Sequence, residues 1–96
     1  MKPHLPNIEL IESQHKFPGT YLFKIIGDNY ENFVTDALKL TLDALKDQDR
    51  ACSHSSRLSA AGNHIALTLS VEVETAQEVH AIYEKLLELK GVRALF

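Results

Sequence analysis

Between Ile65 and Val73 apolar residues fall on every second position: Ile65, Leu67, Leu69, Val71 and Val73 alternate with Ala66, Thr68, Ser70 and Glu72, and His64 opens the series. A repeat of two sends successive side chains to opposite faces of an extended chain, which predicts a strand buried on one side. From Tyr30 to Lys46 the repeat lengthens. Tyr30, Phe33, Val34, Ala37, Leu38, Thr41, Leu42 and Leu45 recur at helical spacing and leave one buried stripe. Asn29 stands where it can accept from the free amides at the helix start. A second helix follows Thr75, with Ala76, Val79, Ile82, Tyr83, Leu86 and Leu89 as its apolar face. Thr75 caps it, Glu78 three residues on completes a capping box, and Gly91 ends it.

The remaining segments fill in the order. Thr20 to Ile26 is rich in aromatic and β-branched residues and predicts a first strand, broken by Gly27-Asp28-Asn29. Arg50 to Ser59 is polar and serine-rich and predicts a weak strand, joined by the hairpin turn Ala60 to Asn63 to the alternating strand. Val92 to Phe96 is the last strand, with Val92, Ala94 and Phe96 opposite Arg93 and Leu95. Residues 1–18, marked by Pro3, Pro6 and Pro18, form a packed lead-in arm in which Asn7 caps a turn or two of helix over Ile8 to Glu12. Residues 19–96 form one domain. The order βαββαβ with right-handed crossovers predicts an α+β, ferredoxin-like two-layer sandwich: an antiparallel sheet in the order 4-1-3-2 with both helices on one face.

That architecture leaves the other face bare. Tyr21, Phe23 and Ile25 are the bulkier set of the first strand and point to the helices, which puts Lys24 on the open face with Leu22 and Ile26. Its expected neighbours there are Ala66, Thr68 and Ser70 of the central strand and Arg93 and Leu95 of the edge strand. Such a mixture of apolar and charged residues is typical of contact surfaces. Lys24, Thr68, Ser70, Arg93, Leu22 and Ile26 are therefore the candidate surface for a protein partner or a second copy of the chain. A solvated face on which Lys24 pairs with Glu72 or another carboxylate accounts for the same residues with fewer assumptions.

Pro18, Lys24 and Gly27 around the first strand, Ser59-x-x-Gly62-Asn63 at the hairpin, and Val79-x-x-Ile82-Tyr83-Glu84-x-Leu86 leading to Val92-Arg93 form a pattern spread over residues 17 to 96. The pattern resembles that of the small YbeD-like bacterial proteins of unassigned function. The resemblance implies an ACT-like, ferredoxin-type fold and supplies no catalytic residues. Regulatory ACT domains typically bind amino acids near a glycine-containing loop after the first strand, at a dimer interface. On that likeness Gly27, Asp28 and Asn29 mark a possible ligand loop, although the Pro-Gly that usually follows the acidic residue is missing.

Composition narrows the function classes. A chain of 96 residues, 45% hydrophobic and 24% charged, is ordinary globular material for one core. A net charge of -3 argues against nucleic acid and anionic lipid as partners. His64, Ala66, Thr68 and Ser70 also place no aromatic ring where RNA-binding versions of this fold stack bases. Cys52 has no second cysteine to pair with, residues 1 to 17 lack the apolar core of a signal peptide, and no apolar run approaches the roughly 20 residues of a membrane span. A cytoplasmic protein that does not cross a membrane is expected.

Enzymatic chemistry finds little purchase. Cys52 and His54 share a face, but His64 lies about 16 Å along the hairpin at strand rise, too far for a common metal. Ser53-His54-Ser55-Ser56-Arg57 has no glycine elbow to expose a nucleophile and reads as a polar edge strand that discourages sheet-to-sheet pairing or, less simply, accepts a partner strand. The loop after the first strand carries Asp28 where an anion cradle needs an arginine. Glu84, Lys85, Glu88 and Lys90 line the outer face of the second long helix, with His80 at its flank. The expectation is a non-catalytic interaction or regulatory module without metal or cofactor, acting through the open face. The alternative is a small-ligand sensor of ACT type.

Overall fold

Strand β1 (Gly19–Asp28) pairs antiparallel with β3 (His64–Val73) at ten consecutive positions, from Gly19 opposite Val73 to Asp28 opposite His64. This is a computed structural model, and it describes residues 6–96, so the part of the expected arm at residues 1–5, with Pro3, lies outside the described residues. Strand β2 (Cys52–Leu58) joins the far edge of β3, and β4 (Val92–Leu95) joins the far edge of β1. The order β2-β3-β1-β4 is the expected 4-1-3-2 sheet read from its other edge. Helices α1 (Ile8–Gln14), α2 (Phe33–Leu45) and α3 (Ala76–Leu86) complete the α+β sandwich. Among the described residues no helix is long and apolar enough to cross a membrane.

The core lies between sheet and helices. Tyr21, Phe23 and Ile25 of β1 and Leu67, Leu69 and Val71 of β3 face Phe33, Ala37 and Thr41 of α2 and Val79, Ile82 and Leu86 of α3, all buried. Burying each large apolar side chain stabilises the fold by about 1.5–3 kcal/mol relative to leaving it in water. Thr41 enters the apolar layer because its hydroxyl donates to the carbonyl of Ala37 at 2.9 Å. Helix α1 begins as expected, with the Asn7 side chain accepting from the Leu10 amide at 2.7 Å, but continues to Gln14 and packs on α3, adding Ile11 to the core. Beside it the Tyr21 and Tyr83 hydroxyls meet at 3.3 Å, and burial pushes the Tyr83 phenol well above its ordinary range.

Several local expectations give way to long-range bonds. Strand β1 does not stop at Ile26: Gly27 and Asp28 belong to it, because pairing with β3 continues and the Asp28 amide donates to the Gly91 carbonyl at 3.0 Å. Asn29 does not cap α2, which starts at Phe33. Its backbone amide donates to the Asn63 carbonyl at 3.1 Å and its Nδ2 to the Gly62 carbonyl at 2.9 Å, tying β1 to the β2–β3 hairpin. Helix α3 ends at Leu86 rather than near Gly91, although Leu89 is still buried beyond it.

Strand β4 also departs from simple alternation. A bulge between Ile26 and Gly27 shifts the register, and the backbone groups of Lys24 and Phe96 exchange hydrogen bonds of 3.0 and 2.8 Å. Leu95, expected on the open face, therefore stands opposite Ile25 and is buried in the core. Ala94, opposite Ile26, and Phe96, opposite Lys24, take the open side.

Glu78 makes no capping box. Thr75 accepts from the Glu78 amide at 3.2 Å as expected, but the Glu78 carboxylate receives the Glu74 amide at 2.7 Å and both Nη atoms of Arg50 at 2.8 and 3.0 Å. Arg50 also binds Asp47 through Nε at 3.0 Å and the Glu72 carbonyl at 3.0 Å, with only 13% of its side chain exposed. This clasp joins the α2–β2 loop, the end of β3 and the start of α3. The Arg50 guanidinium holds the Glu78 and Asp47 carboxyls below their ordinary values of 4.5 and 3.8. A depressed carboxyl contributes stability that is present above its unfolded value and lost as pH falls through its folded one. Arg50→Met is expected to cost about 2 kcal/mol at neutral pH. The gap between wild type and variant, measured by urea denaturation, is expected to shrink as pH falls below about 4.5; a gap independent of pH would remove the electrostatic role of the clasp.

Candidate functional site

The face of the sheet that the helices leave uncovered is organised in rows set by strand register. One row runs Phe96, Lys24, Thr68 and Ser55 across β4, β1, β3 and β2; the next runs Ala94, Ile26, Ala66 and Arg57. On the other side of Lys24, Leu22, Ser70 and Ser53 align. Five residues of the expected surface, Leu22, Lys24, Ile26, Thr68 and Ser70, thus stand together on three adjacent rows. Leu22 is 57% exposed and Phe96 61%, while Ile26 is half-buried.

The surface has two halves. Leu22, Ile26, Ala94 and Phe96 make the β1–β4 half apolar, whereas Thr68, Ser70, Ser53 and Ser55 make the β3–β2 half a field of hydroxyls. A depression of about 270 Å³ lined by Ser55, Ser56, Arg57, Ala66 and Thr68 lies in the hydroxyl half. Lys24 belongs to the first half and Arg57 to the second, and among the described residues neither forms an ion pair. The expected pairing of Lys24 with Glu72 is not formed; the Glu72 carboxylate accepts from the Thr20 hydroxyl instead.

Arg93 departs from the expected arrangement. Displaced by the bulge, it sits at the end of the face with Nε donating to Asp28 Oδ1 at 2.9 Å, so its charge is already matched. Arg57 is the cation that the sequence assignment missed. Its signal was present: if Ser59 pairs with His64 across the turn, alternation carries Arg57 to the side of Ala66 and Thr68.

The possible ligand loop is occupied by internal bonds. Gly27 is in β1, and a Cβ there would lie 2.3 Å from Cε1 of the fully buried Phe33 ring. The residue is glycine because α2 packs an aromatic ring on its backbone. Asp28 binds Arg93 and has His64 Nε2 at 3.9 Å; the Arg93 guanidinium holds its carboxyl below the ordinary value. Asn29 is committed to the hairpin.

Cys52 and His54 lie on β2 opposite Val71 and Leu69, while His64 stands at the far end of the hairpin opposite Asp28. The three do not converge, and among the described residues no group of three or more His, Cys, Asp or Glu could hold a metal ion. Helices α2 and α3 do not reach over β2, where His54, Ser56 and Leu58 are exposed on the helix side and Leu58 is 54% accessible. A concavity of about 330 Å³ lies instead between α2 and the segment after α3, lined by Leu40 and Leu89 together with Asp36, Lys39, Asp43, Glu88 and Lys90.

Comparison with known proteins gives a consistent picture. A family model described as "Protein of unknown function (DUF493)" matches residues 12–96. A UPF0250 protein of Shewanella piezotolerans is 28% identical over 78 residues, covering 81% of this chain and 85% of its own length. A UPF0250 protein of Haemophilus ducreyi is 24% identical over 78 residues, covering 81% and 77%. Among solved structures, the solution structure of protein HP0495 from H. pylori superposes with a TM-score of 0.68 at 20% identity over 97% of this chain and 96% of that one. The crystal structure of the ACT domain from GTP pyrophosphokinase of Chlorobium tepidum gives 0.56 at 16% identity, over 80% and 94%. At such identities these structures establish a shared ACT-like fold and nothing of function.

The Gly27 contact generates a direct test. Gly27→Ala is expected to destabilise the protein by about 1–3 kcal/mol, because the fully buried Phe33 ring or the strand backbone has to shift to admit the methyl group. In a domain of this size that is a fall in Tm of at least several degrees. An unchanged Tm would show that the glycine is not held by packing.

Proposed function

Because the chain belongs to this protein family of unknown function (DUF493), the YbeD-like proteins, we propose a role drawn from its own surface: a non-catalytic docking or regulatory module that binds another protein through the open sheet face. The observation that carries the reading is the exposure of Leu22 and Phe96 beside Lys24, on a sheet whose strands β1 and β3 are packed on their opposite side. Large apolar side chains clustered on a rigid, uncovered sheet with hydroxyls beside them offer what a partner needs: area to bury, and polar groups that fix orientation. The sheet is held from behind by the core, so docking requires no rearrangement of the backbone.

An ACT-type small-ligand sensor is the second reading. It is supported by the likeness of fold to the ACT domain of the Chlorobium tepidum enzyme. It draws less from the Gly27–Asn29 loop, where the polar side chains of Asp28 and Asn29 are already bonded to Arg93 and Gly62.

Leu22→Glu separates the readings. Leu22 is exposed, so the change is expected to alter stability by no more than about 1 kcal/mol, the span of strand propensities. The variant, used as bait in its native cell extract, is expected to lose proteins that the wild type retains. Identical retention by both would end the docking reading, and a thermal shift of the wild type with free amino acids would favour the sensor.

A further inference from the structure

We infer that the partner is an acidic, amphipathic protein segment whose carboxylates meet Lys24 and Arg57 while its apolar side chains cover Leu22, Ile26 and Phe96. The inference rests on the reading of the open face as a docking surface and adds the chemistry of what docks there.

Leu22 and Ile26 flank Lys24 on its own strand and Phe96 faces it across β4, so a partner that covers this apolar cluster also covers the ammonium group. A cation taken out of water without a counter-charge costs several kcal/mol, enough to cancel the gain from burying two or three apolar side chains. A stable complex therefore has to bring an acceptor of opposite charge to that point.

Charge on the face does not follow that of the whole chain. The chain as a whole carries -3. On the open face, however, the cations Lys24, Arg57 and Arg93 outnumber the carboxylates, of which Asp28 is matched by Arg93 and Glu72, held by the neutral Thr20 hydroxyl, keeps its charge near one end of the β1–β3 ladder. Lys24 and Arg57 are left over, with no ion-pair partner among the described residues. The surface to be buried is thus locally basic on an acidic molecule, which selects a carboxylate-bearing partner and repels a basic one.

A second copy of the chain fits this face less well. A two-fold contact would set this patch against itself. It would bring two further unpaired cations into the interface, while Asp28 and Glu72, the carboxylates on the face, sit at opposite ends of the β1–β3 ladder. Geometry also constrains the partner. Lys24 and Arg57 are two strands and two residues apart in register, which sets their backbone positions about 12 Å apart and asks for two separate carboxylates.

Short amphipathic peptides built from leucine with glutamate, with glutamine or with lysine provide the test, titrated into the isotopically labelled full chain and followed by backbone amide NMR. The glutamate peptide is expected to shift Leu22, Lys24, Ile26, Arg57 and Thr68, to weaken as salt is raised, and to bind at least tenfold less tightly to the Lys24→Gln, Arg57→Gln double variant. Both residues are exposed, so the variant keeps the fold, which its unperturbed core amides would verify. Binding of the glutamine peptide to the same residues with equal affinity would overturn the acidic partner but leave the docking face standing. Peptide-induced shifts confined to other surfaces, or none at all, would overturn both. A free chain that is already dimeric, with the β1 amides protected across the open face, would replace the acidic partner by a second copy.

Discussion

The pairing of β1 with β3 is the constraint on which the rest of the molecule depends. Ten residues of each strand run opposite one another without a break, and strict alternation then divides their side chains into two sets. Tyr21, Phe23, Ile25, Leu67, Leu69 and Val71 fall on one side and receive α2 and α3. Leu22, Lys24, Ile26, Ala66, Thr68 and Ser70 fall on the other. A slip of one residue along β1 would exchange its set and drive Lys24 beneath the helices, so burial of the aromatic and aliphatic set holds the register. The candidate surface is the complement of the core.

Polar contacts between distant segments then set the limits of each element. Arg50 joins Asp47, Glu72 and Glu78 and so ties the approach to β2, the end of β3 and the first turn of α3 into one corner. Asn29 bonds the hairpin, and the Gly91 carbonyl accepts from Asp28, closing the opposite end of the sheet around β1. Gly27 admits the Phe33 ring onto the strand backbone between these anchors. The segment Gly27–Asn29 is a structural junction, with Asp28 bonded to Arg93 and Asn29 to the hairpin. Likeness of fold establishes the scaffold of this chain and nothing of a site.

What remains free is accordingly informative. Among the described residues Lys24 and Arg57 form no ion pair, and they stand among apolar and hydroxyl neighbours on the open sheet. The helices protect one layer, while β2, beyond their reach, exposes His54, Ser56 and Leu58 on the side that elsewhere forms the core. The molecule is thus asymmetric, with a firmly packed back and a mixed, accessible front.

Periodicity along the chain was enough to determine the element order, the inward set of β1, the stripe of α2, the Asn7 and Thr75 caps and the position of Lys24 on the open face. These features follow from each residue's relation to neighbours a few positions away, which the chain carries explicitly. Only the tertiary structure decided that Leu95 is buried and Phe96 exposed, that Arg93 is matched by Asp28 while Arg57 is not, and that Asn29 and Glu78 serve distant partners rather than their own helices. A bulge, a register between strands and a hydrogen bond across the fold each depend on groups tens of residues apart. Local spacing holds no record of which of two competing partners a side chain will meet once the sheet has closed.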